Sequence, residues 1–139
     1  MLENVALRVG TQEVPLRGLV TVIKDVPPGE MSRLYLNHNV CVLPAVNEPL
    51  GISPLEAMAH GCVPLVSTGT GAAGTIASAG DGMVFAQDDV NDLTEKLRRF
   101  AQDKQLLHKK SVKVREFANS KLSPAVFAEK LVQLIEQEK

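Results

Sequence analysis

The sequence predicts an α/β domain: a parallel sheet with helices on both faces, followed by a segment made of helices alone. Two observations carry this. Short runs rich in β-branched and aliphatic residues (VALRV, LVTVI, VCVLP, CVPLV and MVF) recur along the first two-thirds of the chain, separated by helix-like stretches; strands buried on two sides and joined by helices read this way. After Asp88 the runs stop, and apolar residues return every three or four positions, the helical period.

Taken in order, strands are expected at residues 5–9, 19–23, 40–43, 63–67 and 83–86. Helices are expected in the crossovers at residues 28–37, 54–60 and 74–79. The second of these has a legible start. In S-P-x-E, Ser53 is placed as the N-cap, Pro54 as the first helical residue and Glu56 as the N3 acid of a capping box. Asp88 or Asp89 is placed as the N-cap of the next helix, whose Val90, Leu93, Leu97 and Phe100 form one stripe. Ser123 and Pro124 open a last helix with Phe127, Leu131 and Leu134 on one face. No repeat, low-complexity tract or linker divides the chain, so residues 1–139 are read as one domain.

Bulk properties narrow the function. With 45% apolar and 22% charged residues the chain is globular, and its formal net charge of -1 supplies no field for nucleic acid or an anionic membrane. The basic run LHKKSVKVR is read as the solvated face of a helix. No stretch approaches the roughly 20 apolar residues of a membrane span, and MLENVALRVG does not resemble a signal peptide; a cytoplasmic location is expected. Cys41 and Cys62 sit inside apolar runs as small core residues. His38, His60 and His108 lack the spacing of a zinc site and receive no catalytic role.

The stretch STGTGAAGT contains G-x-G-x-x-G at Gly69, Gly71 and Gly74, directly after an apolar run, the arrangement of a dinucleotide-binding fingerprint. Such a fingerprint opens a helix of several turns, and an acid after the next strand reaches the ribose. Here only TIASA separates Gly74 from the helix-breaking AGDG. Asp88 and Asp89 are better explained as helix caps. The glycines are therefore read as a tight turn joining strand to helix, with an NAD(P)-type binding domain kept as the alternative.

A stronger signal lies in NEPLGISPLEAMAHGCVPLVS, where seven residues separate Glu48 from Glu56. The amides of Leu50, Gly51 and Ile52, together with the helix start at Ser53, are expected to point unpaired into the crevice beyond the strand VCVLP, a ready place for phosphate. Gly51 lets a ligand approach the backbone. Glu48 adds a carboxylate facing a hydroxyl-rich or developing positive group. A nucleotide-diphosphate sugar fits both descriptions.

At these residues the chain resembles the retaining glycosyltransferases of GT-B architecture, the group that includes glycogen synthases. EPLGISPLEAMAHGCVPLVS looks like their paired-glutamate (E-x7-E) motif, and the likeness extends to GEMSRLYLNHNVCVLPA before it and GDGMVFAQDDVNDLTEKL after it. The resemblance implies a Rossmann-like fold, the C-terminal half of a GT-B enzyme, and a donor-binding role. Glu56 would hold the ribose hydroxyls, and Glu48 would lie beside the reacting carbon as the catalytic residue. Leu50, Gly51, Ile52 and Ser53 would meet sugar hydroxyls and phosphate, and Asp25 and Val26 would contact the base.

The chain also departs from the family pattern. Lys24 stands where a glycine is frequent, and Thr75 stands where an acid usually follows the glycine turn. The resemblance further implies a first strand and loop with an arginine and a lysine for the diphosphate, and an N-terminal acceptor domain. None of these is found in this sequence, so the partner expected is that domain, in the same native chain or another subunit, beside the nucleotide sugar. Peripheral attachment at the inner membrane face would come through that domain. The implied reaction is transfer of a hexosyl group to a glycan, lipid or other acceptor with retention and without a metal, the fragment alone being inactive. A non-catalytic interaction module of the same fold is the remaining alternative.

Overall fold

The computed structural model describes residues 6–9, 12–15, 20, 21 and 23–137. Its centre is the strand β4 (Val63–Ser67), every residue of which is buried. β4 pairs in parallel with β3 (Val40–Leu43) on one side and with the two-residue β5 (Val84–Phe85) on the other, giving the order β3-β4-β5. CVPLV thus reads as it does because it is the central strand, covered on both faces. β3 is an edge strand, and its Val42 is exposed.

The crossovers are α1 (Pro28–Asn37), α2 (Ile52–Ala59) and α3 (Ala73–Ala79), and the C-terminal part is α4 (Val90–Gln102), α5 (Lys104–Phe117), a π-helical turn (Ala118–Leu122) and α6 (Pro124–Gln137). The core gathers Met58 of α2, Leu65 and Val66 of β4, Ile76 of α3, Phe100 of α4 and Val114 of α5. One sheet flanked by helices, with helices only after it, is the predicted fold class.

Two expected strands differ. Ala6–Val9, placed by its pattern in the parallel sheet, instead pairs antiparallel with Gln12–Pro15, so these two strands, β1 and β2, form a separate two-stranded sheet. The first residue of that expected strand, Val5, lies outside the described residues. Of the expected strand at 19–23, residues 19 and 22 also lie outside them, and 20, 21 and 23 are not in a strand. A short apolar run satisfies a hairpin strand as well as a parallel one, so the pattern alone does not separate the two.

Caps follow the sequence at two helices. Asp89, not Asp88, caps α4: its Oδ1 accepts from the Asn91 amide at 3.0 Å and the Asp92 amide at 2.9 Å. Asp88 takes the left-handed turn position before it, at φ 60°. At α6, Ser123 accepts from the Val126 amide at 3.4 Å, with Pro124 as the first helical residue. The apolar face of α6 is open, with Phe127 69% and Leu134 61% exposed. Asp89→Ala should lower stability by about 1 kcal/mol, whereas Asp88→Gly should leave it nearly unchanged. Urea unfolding of both variants checks this assignment.

Candidate functional site

The loops that follow β3 and β4 lie side by side at the carboxyl ends of adjacent parallel strands, where open α/β sheets place their ligands. They are fastened by backbone. The Glu48 amide donates to the Gly69 carbonyl at 3.0 Å, and the Gly71 amide donates to the Glu48 carbonyl at 2.8 Å, forming a parallel bridge between Glu48 and Thr70. Buried Ser67 adds a hydroxyl hydrogen bond to the Ala45 carbonyl.

This explains the glycine turn. A Cβ on Gly71 would stand 1.9 Å from the Pro49 carbonyl oxygen, and one on Gly69 would stand 2.5 Å from that of Val46. Both glycines exist so that one loop can lie against the other. Gly74 has open space around its Cβ position, and the helix it helps open spans only Ala73–Ala79. The fingerprint spacing is thus made of two packing glycines and one helical glycine.

Glu48 is half-buried, and its Oε1 accepts from the Leu50 amide at 3.2 Å and the Gly51 amide at 3.1 Å. The sequence expectation of unpaired amides at Leu50 and Gly51 is corrected here. A carboxylate two and three residues upstream is their nearest acceptor, and the loop folds around it. The helix start also differs. α2 begins at Ile52 with Gly51 as N-cap at φ 71°, and no side chain caps it. Ser53 is therefore not the N-cap, and Glu56 does not close a capping box. Gly51 takes the left-handed position at low cost, and its Cβ would lie 2.5 Å from Thr70 Cγ2. The helix begins two residues earlier than the S-P-x-E pattern implies.

Glu56, exposed on α2, is held instead by Tyr35 of α1, whose hydroxyl donates to Glu56 Oε2 at 3.3 Å. Burial, followed by the Glu56 charge, raises the Tyr35 pKa above its ordinary value, so the phenol remains a donor at neutral pH. His60 Nδ1 donates to the Glu56 carbonyl at 2.9 Å, and its ring lies 5.6 Å from that of Tyr35. On its other side Glu56 borders a largely apolar cavity of about 570 Å³, with Ile52, Leu55, Leu122 and Phe127 in its walls.

The structure thus unites Glu48, Leu50 and Gly51 in one loop, and it sets Ile52, Ser53 and Glu56 on the helix that follows. Leu50, Ile52 and Ser53 are exposed. Asp25 is exposed at φ 53°, and Val26 lines a different cavity, of about 260 Å³, with Ile23, Arg33 and Leu34. Tyr35 was missed by sequence reasoning. The available signal was that a tyrosine inside an apolar stretch needs a partner for its hydroxyl. Cys41 and Cys62 are free thiols; burial pushes Cys62 up to about 11. Among the described residues no group of three or more His, Cys, Asp or Glu side chains is placed to hold a metal, and no helix is long and apolar enough to cross a membrane.

A three-stranded parallel sheet flanked by helices, with an acid-bearing loop and a helix start at adjacent strand ends, defines an α/β domain of Rossmann-like type. The chain belongs to the group 1 glycosyl transferases, whose family profile matches residues 5–121. It is similar to the glycogen synthase of Fusobacterium nucleatum subsp. nucleatum, 30% identical over 73 residues, covering 48% of this chain and 16% of that protein. The chain therefore spans a small part of that relative's length. No solved structure matches it significantly.

Substitutions at the glycine turn separate packing from fingerprint. Gly71→Ala should destabilise the domain by about 1–3 kcal/mol through overlap with Pro49. Gly74→Ala should be neutral or stabilising by up to about 1 kcal/mol, because alanine is the better helix former. Thermal unfolding of the two variants distinguishes them; equal losses would contradict the packing account.

Proposed function

We propose that this chain is the donor-binding half of a retaining glycosyltransferase that uses a nucleotide-diphosphate sugar. The observation that carries the reading is the pair of amides at Leu50 and Gly51 converging on one carboxylate oxygen of Glu48. A loop that gathers two amide donors on one anionic oxygen, just before a helix start, has the local chemistry to receive sugar hydroxyls and a phosphate oxygen. The first amides of α2, at Ile52 and Ser53, have no acceptor one turn earlier within the helix and extend the same donor surface.

In this reading Glu56 accepts the ribose hydroxyls and Glu48 faces the anomeric carbon of the transferred hexose. Asp25 and Val26 are assigned to the base. The bond from the sugar carbon to the diphosphate breaks, and a bond to an acceptor hydroxyl oxygen forms on the same face. The acceptor's proton leaves with the diphosphate. Loop amides and the helix start stabilise the charge that develops on the leaving group. The acceptor is assigned to a separate domain, in the same native chain or in a partner subunit, and no metal is assigned to the reaction. A cytoplasmic location accords with a soluble nucleotide-sugar donor.

Titration calorimetry with uridine, adenosine and guanosine diphosphates tests the assignment. Glu56→Gln should weaken the best-bound nucleotide by about tenfold, the scale of one charge-assisted hydrogen bond. Glu48→Gln should bind nucleotide as the wild type does, since its amide oxygen can still accept from Leu50 and Gly51. Combined with an acceptor domain, Glu48→Gln should instead lower turnover. Equal nucleotide affinity in wild type and Glu56→Gln would contradict the ribose assignment.

A further inference from the structure

We infer that Tyr35 is a positioning residue for the donor site: its hydroxyl fixes the Glu56 carboxylate by one oxygen and so presents the other to the ribose diol. The inference rests on the assignment of Glu56 to the ribose.

The contact has the parts such a role requires. Glu56 is an exposed glutamate on the helix surface, and without a partner its side chain would populate several rotamers. Ordering a flexible glutamate on binding opposes affinity, and a side chain already held avoids that loss. Tyr35 is 7% exposed, is packed with Ala57 and Cys62, and is itself braced against the His60 ring. Its hydroxyl reaches Glu56 Oε2 at 3.3 Å. A rigid aromatic on α1 thus anchors a flexible acid on α2. Because Oε2 is the atom engaged, and Oε1 has no hydrogen-bond partner among the described residues, Oε1 can accept from a vicinal diol. His60 fastens the same turn from the backbone side, through the Glu56 carbonyl.

Tyr35→Phe keeps the ring and its packing and removes only the donor. The test uses two readouts on the chain. The first needs no ligand. The sequence has one tyrosine and no tryptophan, so the tyrosinate absorbance band, which lies to the red of thiolate absorption, follows the ionisation of Tyr35 alone. Burial, the Glu56 charge and the Cys41 thiolate raise its pKa, the Ser53 hydroxyl lowers it, and the hydrogen bond to Glu56 raises it. In Glu56→Gln the midpoint should therefore move down, and an unchanged midpoint would overturn the contact.

The second readout is nucleoside diphosphate affinity in a double-mutant cycle. Tyr35→Phe should raise Kd about three- to tenfold, and adding it to Glu56→Gln should cause no further loss. Circular dichroism should show both variants folded. If Glu56→Gln weakens binding but Tyr35→Phe does not, the positioning role is refuted while the ribose assignment stands. If the two losses add fully, Tyr35 acts on the fold rather than through Glu56, and the inference also fails. If Glu56→Gln leaves affinity unchanged, the ribose assignment fails and the positioning role falls with it.

Discussion

The parallel bridge between Glu48 and Thr70 is the constraint on which the site depends. It continues the pairing of β3 and β4 past the ends of the strands, and it locks two loops together with backbone hydrogen bonds on both sides of Glu48. Backbone cannot come this close with a Cβ at position 69 or 71, which is why glycine occupies both. With Glu48 fixed by its main chain, its carboxylate reaches the amides of Leu50 and Gly51. The left-handed turn at Gly51 then starts α2 with Glu56 on the helix surface facing Tyr35. Glu48 and Glu56 are equivalent acids in the sequence motif, but the fold gives one to the loop backbone and the other to a phenol.

The parallel core was legible because its signals were redundant. CVPLV is apolar at every position, and the structure buries every residue of β4; GEMSRLYLN has a helical pattern and a proline start, and α1 spans the expected residues. What failed were inferences from a single local pattern. VALRV is an apolar run like those of the buried strands, and only its pairing partner distinguishes a hairpin from a parallel ladder. S-P-x-E satisfies the capping-box rule, but Gly51 can adopt φ 71° and starts the helix earlier, so tertiary packing against Thr70 decided the boundary.

The candidate site divides the same way. The spacing of Glu48 and Glu56 and the glycine between them were visible in the sequence. The capture of the Leu50 and Gly51 amides by Glu48 was not, because a loop's internal hydrogen bonds depend on its path. That Tyr35 needs a hydroxyl partner could be read from the sequence, but which partner could not, because Glu56 lies 21 positions further on and no periodicity links two helices across a strand. The open face of α6, with Phe127 and Leu134 exposed, shows the complementary case: the amphipathic pattern was read correctly, but the pattern does not say what covers it.

The central claim is that an anionic sugar-nucleotide ligand is received by the loop between β3 and α2. Its most direct test is a nitrogen-15 resonance titration of the chain with a nucleoside diphosphate. The result expected is saturable shifts largest at the amides of Leu50, Gly51 and Ile52, where the ligand binds beside the Glu48 carboxylate. Saturable shifts centred on α4 and α5, with those three amides unmoved, would contradict it.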